Sequence, residues 1–577
     1  MGKVNITIDG VNIQVEDNMT VLEAARLAGI EIPTLCYLKD TNKIGACRIC
    51  LVEVQGARGL QASCSYPVSE GLVVRTNTKT VLDARKATLE LILSDHKKNC
   101  LSCSRNTDCE LQALAEKMQI GDVIYQGNAD AASDIDDLST SIVRDNSKCI
   151  LCRRCVAVCK NVQTVGAIDV AYRGMNSKVT PAFNKSLRDS NCVNCGQCVA
   201  VCPVGALTIK YDLDRVWDAL HNPDMHVVVQ TAPAVRAALG EEFNMPIGEA
   251  VTGKMAAALR RLGFDRVLDT NTGADFTIME EGTEFIERLT KNENLPLITS
   301  CSPGWVKFLE HNFPDLIPNL STAKSPMSMY GALIKSYYAK EQGIDPEKIF
   351  VVSVMPCTAK KFECERPELG EDGHKDVDAV ITTVELAKMI KKAGIMFDKL
   401  PSESFDEPFG EATGAATIFG TTGGVMEAAI RTVSEILEGK TIDKIEYEEV
   451  RGNETIKEAE LLVAGKNVKI AVVSGLGNAR KLMEKVRSGE ADYQFIEVMA
   501  CPGGCVMGGG QPRRILKERE GIDVRGARRN ALYSEDKRLP LRKSHQNPYV
   551  KKVYDEFLGK PGSEVAHHLL HTHYQAR

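Results

Sequence analysis

Cys149, Cys152, Cys155 and Cys159 make a C-x2-C-x2-C-x3-C run, and Cys192, Cys195, Cys198 and Cys202 repeat it 43 residues later, closing on Cys202-Pro203. Thiolates two residues apart on a tight loop can converge on one metal group, and two such runs are beyond chance. They account for eight of the twenty cysteines in this 577-residue chain. The alternative is a disulfide framework, but that belongs to small secreted domains. The opening MGKVNITIDG has no charged region followed by an apolar core, so no export signal is expected. Clustered C-x-x-C pairs in a large chain favour metal.

The repeated run is the pattern of bacterial two-cluster ferredoxins, in which the fourth cysteine of each run ligates the other cluster. One 4Fe-4S cube is then expected on Cys149, Cys152, Cys155 and Cys202, the other on Cys192, Cys195, Cys198 and Cys159. Upstream, Cys36, Cys47, Cys50 and Cys64 are spaced C-x10-C-x2-C-x13-C. Four thiolates with one tight pair suit a 2Fe-2S cluster, whereas a zinc ribbon usually has two tight pairs. Between these groups lie His96, Cys100, Cys103 and Cys109. Their spacing alone fits zinc or a cube equally.

The elements that must position these ligands read as follows. KVNITIDGVNIQVE is two alternating strands around Asp9-Gly10, a hairpin signal. TVLEAARLAGI is a short helix capped by Thr20. Strand, strand and helix before the first cysteine resemble the β-grasp ferredoxins. A ferredoxin of this spacing followed by H-x3-C-x2-C-x5-C resembles the electron-entry domain of the large iron–sulfur subunit of respiratory NADH dehydrogenase, which implies a third 4Fe-4S cube on His96, Cys100, Cys103 and Cys109. Residues 121–140, acidic and polar, read as a linker. After Lys210, strand-like runs (HVVVQTAP, KIFVVSVMPC, DAVITT, VKIAVVSGLG, DYQFIEVMAC) alternate with helical ones (GKMAAALRRLG, VELAKMIKKAG, GVMEAAIRTVSEIL), which implies α/β layers with ligand sites at the carboxyl ends of strands. The nearest glycine-rich loop, FGTTGG at Phe419–Gly424, is weak evidence for a nucleotide. The net charge of −6 argues against nucleic acid, and no apolar run is long enough for a membrane span.

Five cysteines remain: Cys301, Cys357, Cys364, Cys501 and Cys505. Four sit in TSCSPGW, in MPCTAKKFE and in EVMACPGGCVMGGGQP. The glycines around Cys501 and Cys505 let backbone approach something bulky. These three loops, in this order, resemble the signature of the FeFe hydrogenases. With the N-terminal cluster ligands, the chain resembles the large clostridial-type or NAD(P)-linked catalytic chain of that family over essentially its whole length. The resemblance implies a multidomain α/β protein: a β-grasp 2Fe-2S ferredoxin-like domain at 1–80, a small His/Cys3 cluster domain at 81–125, a two-cluster 4Fe-4S ferredoxin domain at 140–210, and a two-lobed α/β catalytic domain at 211–577. It implies reversible 2H⁺ + 2e⁻ to H₂ at a six-iron H-cluster, a 4Fe-4S cube joined to a two-iron azadithiolate unit carrying CO and cyanide. Electrons would come from a ferredoxin or a flavin-bearing NAD(P)H subunit. Cluster maturation proteins and a cytoplasmic location are implied too. A cofactor is needed because side chains supply no low-valent metal.

The site residues follow from the resemblance. Cys357, Cys501 and Cys505 are cube ligands, with Cys505 bridging to the two-iron unit. Lys360 binds a cyanide. Ala232, Pro233, Met355, Phe419 and Met499 form the apolar pocket, with Met327 where a glutamine is usual. Glu281, Ser321, Glu284 and Arg288 form a proton relay. The family's usual loop has two adjacent cysteines, a relay and the fourth cube ligand. Here Cys301 falls on the relay and Ser302 on the ligand. A serine hydroxyl is less acidic than a thiol, and harder than iron–sulfur chemistry prefers. Three readings stand: Ser302 ligates through oxygen; Cys301 ligates while Ser302 or water relays; or the loop is an inactivating or engineered change. No histidine lies in these motifs to activate a nucleophile. Cys364 matches no ligand and reads as a spare thiol, and the four histidines of AHHLLHTHY read as a helical surface. The competing functions are a pure electron-transfer subunit and an iron–sulfur assembly protein. The first needs no loops of this kind; the second should lack Glu281, Glu284 and Lys360.

Overall fold

Alternation places Ile6 and Ile8 inward on the strand Lys3–Ile8, and Asp9 and Gly10 (φ 48° and 84°) turn the chain into its antiparallel partner Val11–Glu16. Positive φ at both turn residues matches the right-handed twist of a hairpin. The helix Val21–Leu27 follows, with Thr20 and Glu23 closing a reciprocal capping box. Strand Val73–Arg75 then runs parallel to the first strand inside a five-stranded sheet, the β-grasp arrangement that the strand–strand–helix pattern anticipates.

The computed structural model describes residues 2–127, 134–370, 373–410, 412–452, 454–463, 465–519 and 521–577. The chain forms two units: Met1–Val162 with Gly166–Ser190 and Val201–Thr208, and Gln163–Val165 with Asn191–Ala200 and Ile209–Arg577. In the first, the helix Lys79–Ser94 ties the β-grasp sheet to the His96 segment through Arg85, whose guanidinium donates to the Leu51 carbonyl at 2.6 Å. The linker expected at 121–140 is corrected in part. Residues 128–133 lie outside the described residues, but Ile135–Asp136 is a strand paired with Ile142–Asp145. Buried Asp136 accepts from the Leu187 amide at 2.8 Å and the Ser186 hydroxyl at 2.6 Å. A two-residue strand is too short to carry a periodic signal, and its polar residue is needed for those bonds.

The second unit holds two four-stranded sheets. In one, Arg266–Asp269, His226–Thr231, Ile349–Met355 and Ala379–Thr382 are all parallel. Val227, Val228 and Val229 are buried consecutively, as a strand covered on both faces requires. In the other, Leu297–Ile298, Phe495–Met499 and Lys466–Ser474 run parallel, with Ile456–Val463 antiparallel at the edge. The anticipated helices appear as Thr252–Leu262, Thr383–Lys392 and Gly424–Glu438. No helix among the described residues is long and apolar enough to cross a membrane.

Candidate active site

The carboxyl ends of strands from both sheets supply the loops that matter. His226–Thr231 runs into Ala232 and Pro233, Leu297–Ile298 into Cys301 and Ser302, Ile349–Met355 into Cys357, and Phe495–Met499 into Cys501. One cavity is lined by Ala232, Pro233, Met327, Met355, Phe419 and Met499, with Cys301, Ser302, Cys357, Lys360 and Cys505. A second is lined by Cys357, Cys501, Cys505, Cys301 and Ser302, and also by Cys195. The three motif loops, far apart in sequence, thus meet.

The residues present fit a bulky iron–sulfur group. All the soft donors face one cavity, and the neighbouring cavity is apolar apart from Lys360, whose ammonium donates to Ser325 Oγ at 2.7 Å and lies 2.6 Å from Glu363. The glycines are what close the cradle. A Cβ on Gly504, at φ 89°, would lie 2.7 Å from the Thr422 nitrogen, and one on Gly508 would lie 2.2 Å from the Pro356 carbonyl oxygen. A Cβ on Gly509 would fall 2.7 Å from the Cys195 carbonyl oxygen, so the Cys195 loop packs backbone to backbone against this one. The donor set, several thiols around one cavity, suits a group with several corners. Burial pushes the Cys357, Cys501 and Cys505 thiols up, Cys505 to about 12, which bound iron would reverse by taking the proton's place.

Cys301 and Ser302 border both cavities. Ser302 Oγ accepts from the Ala500 amide at 3.2 Å. The Cys301 thiol is pushed well up by burial and then by the Glu281 charge. Glu281 sits on the helix Thr270–Lys291, with Glu284 and Arg288 on the same face. Burial, and next to it the Glu284 charge, push the Glu281 carboxyl up to about 8. Ser321 and the Ser300 amide pull it the other way, and its Oε2 is buried without a hydrogen-bond partner. Ser321 gives its one proton to Glu284 Oε2 at 2.9 Å. Arg288 donates to Glu284 Oε1 at 2.5 Å and to the Leu320 carbonyl at 2.9 Å.

The remaining ligands group as follows. Cys36 is held low by Cys47 and then Cys64, and Cys50 by Cys64, so these four thiols lie near one another. Cys149, Cys152, Cys155 and Cys202 line one small cavity of the first unit. Cys159 Sγ, in that same unit, accepts from the Ala167 amide at 3.3 Å, whereas Cys192, Cys195 and Cys198 belong to the second unit. His96 is buried with Nδ1 3.1 Å from the Lys148 carbonyl, which orients the ring and leaves Nε2 for a ligand. Cys103 Sγ would lie 2.6 Å from a Cβ on Gly205. All twenty cysteines are free of disulfides.

These contacts coincide with strong likenesses. The family model for the C-terminal domain of the iron-only hydrogenase large subunit matches residues 225–509, and that of the iron hydrogenase small subunit matches 522–577. A 2Fe-2S cluster-binding domain matches 2–79, the NADH-ubiquinone oxidoreductase-G iron–sulfur region 85–123, and a 4Fe-4S dicluster domain 148–206. The NADP-reducing hydrogenase subunit HndD of Solidesulfovibrio fructosivorans is 53% identical, the match spanning 100% of this chain and of that protein. The chain belongs to the iron-only hydrogenases. Iron hydrogenase 1 of Clostridium pasteurianum is 44% identical over 99% of each chain. The solved apo FeFe-hydrogenase of Chlamydomonas reinhardtii is 43% identical, with a TM-score of 0.57 over 63% of this chain and 98% of that one. As a hydrogenase the chain interconverts protons, electrons and H₂, and it carries an H-cluster domain together with 2Fe-2S and 4Fe-4S domains.

Several site residues had no signal in the sequence. Glu497 accepts from the Gly423 amide at 2.7 Å and the Met426 amide at 2.8 Å. The Gly423 amide of the FGTTGG loop is thus taken by the protein's own carboxylate, and Phe419 of the same loop lines the cavity. Tyr574 lies near Ser300, and its hydroxyl is pushed up by burial. The surface reading of the histidine tail holds for His567 and His568 and fails for His571, which is buried and bonded to Glu280 at 3.0 Å. Cys364 is buried, its thiol donating to the Lys361 carbonyl at 3.3 Å.

Proposed function

We propose that protons pass between solvent and the active-site cavity through Arg288, Glu284, Ser321, Glu281 and Cys301, and that Ser302 stands in the fourth ligand position of the cube beside Cys357, Cys501 and Cys505. The observation that carries this reading is Glu284, bound outward to Arg288 and inward to Ser321, with the buried Glu281 under the influence of Ser321 and itself acting on Cys301. Ser302, bonded to a backbone amide instead, has no such link outward. The H-cluster supplies the low-valent iron at which protons and electrons combine. This chain's residues hold it, keep water away with Met327, Met355, Phe419 and Met499, and deliver protons. Lys360, a cation in an apolar wall, is suited to an anionic cyanide ligand.

Electrons enter through one 2Fe-2S cluster and three cubes, in domains bounded near 1–80, 81–125, 140–210 and 211–577. Cys195, on the wall of the cube's cavity, marks the last step. The NADP-reducing relative of equal length supports a flavin-bearing NAD(P)H subunit as donor over a ferredoxin, in the cytoplasm, with maturation proteins installing the two-iron unit. The test is H₂ evolution from reduced viologen by matured protein and by Glu284→Gln. The variant should lose most turnover with iron content unchanged, since a titratable group is lost and no ligand is. Wild-type turnover in the variant would reject the relay.

A further inference from the structure

The segment Ser321–Lys324 carries both groups that face Glu284 from across the helix. The Ser321 hydroxyl donates at 2.9 Å, and the Thr322 amide donates at 3.1 and 3.3 Å to the two carboxylate oxygens. The end of the chain runs alongside this segment. Ala323 pairs with His571 in an antiparallel bridge, the Lys324 amide donates to the Leu570 carbonyl at 2.8 Å, and the Thr572 amide donates to the Thr322 carbonyl at 2.8 Å. His571 makes a side-chain link between this seam and the interior: Nδ1 is 2.8 Å from Thr322 Oγ1 and Nε2 is 3.0 Å from Glu280 Oε2. Glu280 is fully enclosed and takes two further donors, the Tyr554 hydroxyl at 2.5 Å and the Gly562 amide at 2.9 Å.

The partners set the polarity. Glu280 accepts from every side, so Nε2 carries a proton toward it. Nδ1 then accepts the Thr322 hydroxyl proton, and the string Thr322 to His571 to Glu280 has a single direction. His567 stacks on the imidazole, with ring centroids 4.7 Å apart. Thr322 is left with one rotamer and its amide with one aim.

We propose that His571 is a positioning residue of the proton relay: through Thr322 it holds the amide that orients the Glu284 carboxylate. The inference rests on the relay reading above and assigns the C-terminal segment a part in it. The Glu284 carboxylate must present one oxygen to Ser321 and the other to Arg288, and a loose Thr322 amide releases it to rotate.

The test compares matured full-length His571→Ala, Thr322→Val, their double variant, His571→Asn and Glu284→Gln. One lost positioned hydrogen bond should slow H₂ evolution about five- to tenfold in each of the first two. The double variant should be no slower, because both changes break one string. His571→Asn, which keeps an acceptor near the Nδ1 position, should recover most of the loss. The CO and cyanide infrared bands should be unchanged. In unloaded protein, the Thr322 amide should exchange with deuterium faster in His571→Ala than in wild type. Additive losses, vanished infrared bands, or wild-type turnover and exchange in His571→Ala would each overturn the proposal. Glu284→Gln tells which reading failed: full turnover there defeats the relay itself, while slow turnover there beside wild-type His571→Ala defeats only the role of the tail.

Discussion

Glu281 and Glu284 are neighbours on one helix face, yet they differ in burial, and burial separates their tasks. Glu281 is enclosed, and its carboxyl is pushed up to about 8; Glu284 keeps the Arg288 guanidinium beside it. A carboxyl whose pKa is raised holds its proton below that value and loses it as pH rises through it. Proton delivery should therefore be sustained below about pH 8 and decline above it. Exchange of D₂ with water checks this without a change of electron donor, and in Glu281→Gln the rate should be low throughout. A wild-type rate flat through that range would remove Glu281 from the path. The Cys301–Ser302 loop yields a second prediction. Ser302→Cys puts the softer donor in the ligand position, so the cube should bind at least as tightly and turnover should hold or rise. Cys301→Ser should keep the CO and cyanide bands and lose most turnover, because a hydroxyl is a poor relay near neutral pH. Loss of those bands would make Cys301 the ligand instead.

At the scale of elements, the first unit's cluster-bearing segments are short and loop-rich, and a buried ion pair joins two of them. Arg154, beside Cys155, is bidentate on Glu110, beside Cys109, at 2.8 and 3.0 Å, and both side chains are almost fully buried. Removing one partner strands a buried charge, which costs about 3–5 kcal/mol. Arg154→Met should lower stability by that order in denaturant titrations followed by cluster absorbance. Adding Glu110→Met should restore much of it. A single-variant loss under about 1 kcal/mol would show that the pair is dispensable. The second unit relies on strand ends instead: parallel strands point their carboxyl ends one way, so loops remote in sequence share one rim.

For the whole molecule the accounting is of metal. Summed by ligand type, a fully matured chain should carry about twenty irons: two in the 2Fe-2S cluster, twelve in three cubes and six in the H-cluster. Metal analysis with and without the maturation proteins should differ by about two irons, those of the two-iron unit. Zinc at His96, Cys100, Cys103 and Cys109 would sink the third-cube assignment. Cys50→Ser should remove the 2Fe-2S signal and slow turnover driven by an NAD(P)H-linked subunit more than turnover driven by a small dye, which can feed later clusters directly.

By itself the sequence determined what is local. Tight cysteine spacing is a property of a few consecutive residues, so the cluster-binding domains were legible, as were the Asp9-Gly10 hairpin and the Thr20 cap. Alternating strand and helix texture after Lys210 announced α/β layers, because periodicity of burial is written residue by residue. The tertiary structure alone decided what depends on meeting. It brought the loops of Cys301, Cys357, Cys501 and Cys505 from two different sheets onto one cavity, and set the Gly423 amide on Glu497. It separated Cys301, near the Glu281 charge, from Ser302, on the Ala500 amide. It also turned a tail histidine inward to Glu280, 291 residues away. Such pairs leave no periodic or spacing signal. A hydrogen bond between distant residues is fixed by the packing of everything between them, and only the folded chain contains that information.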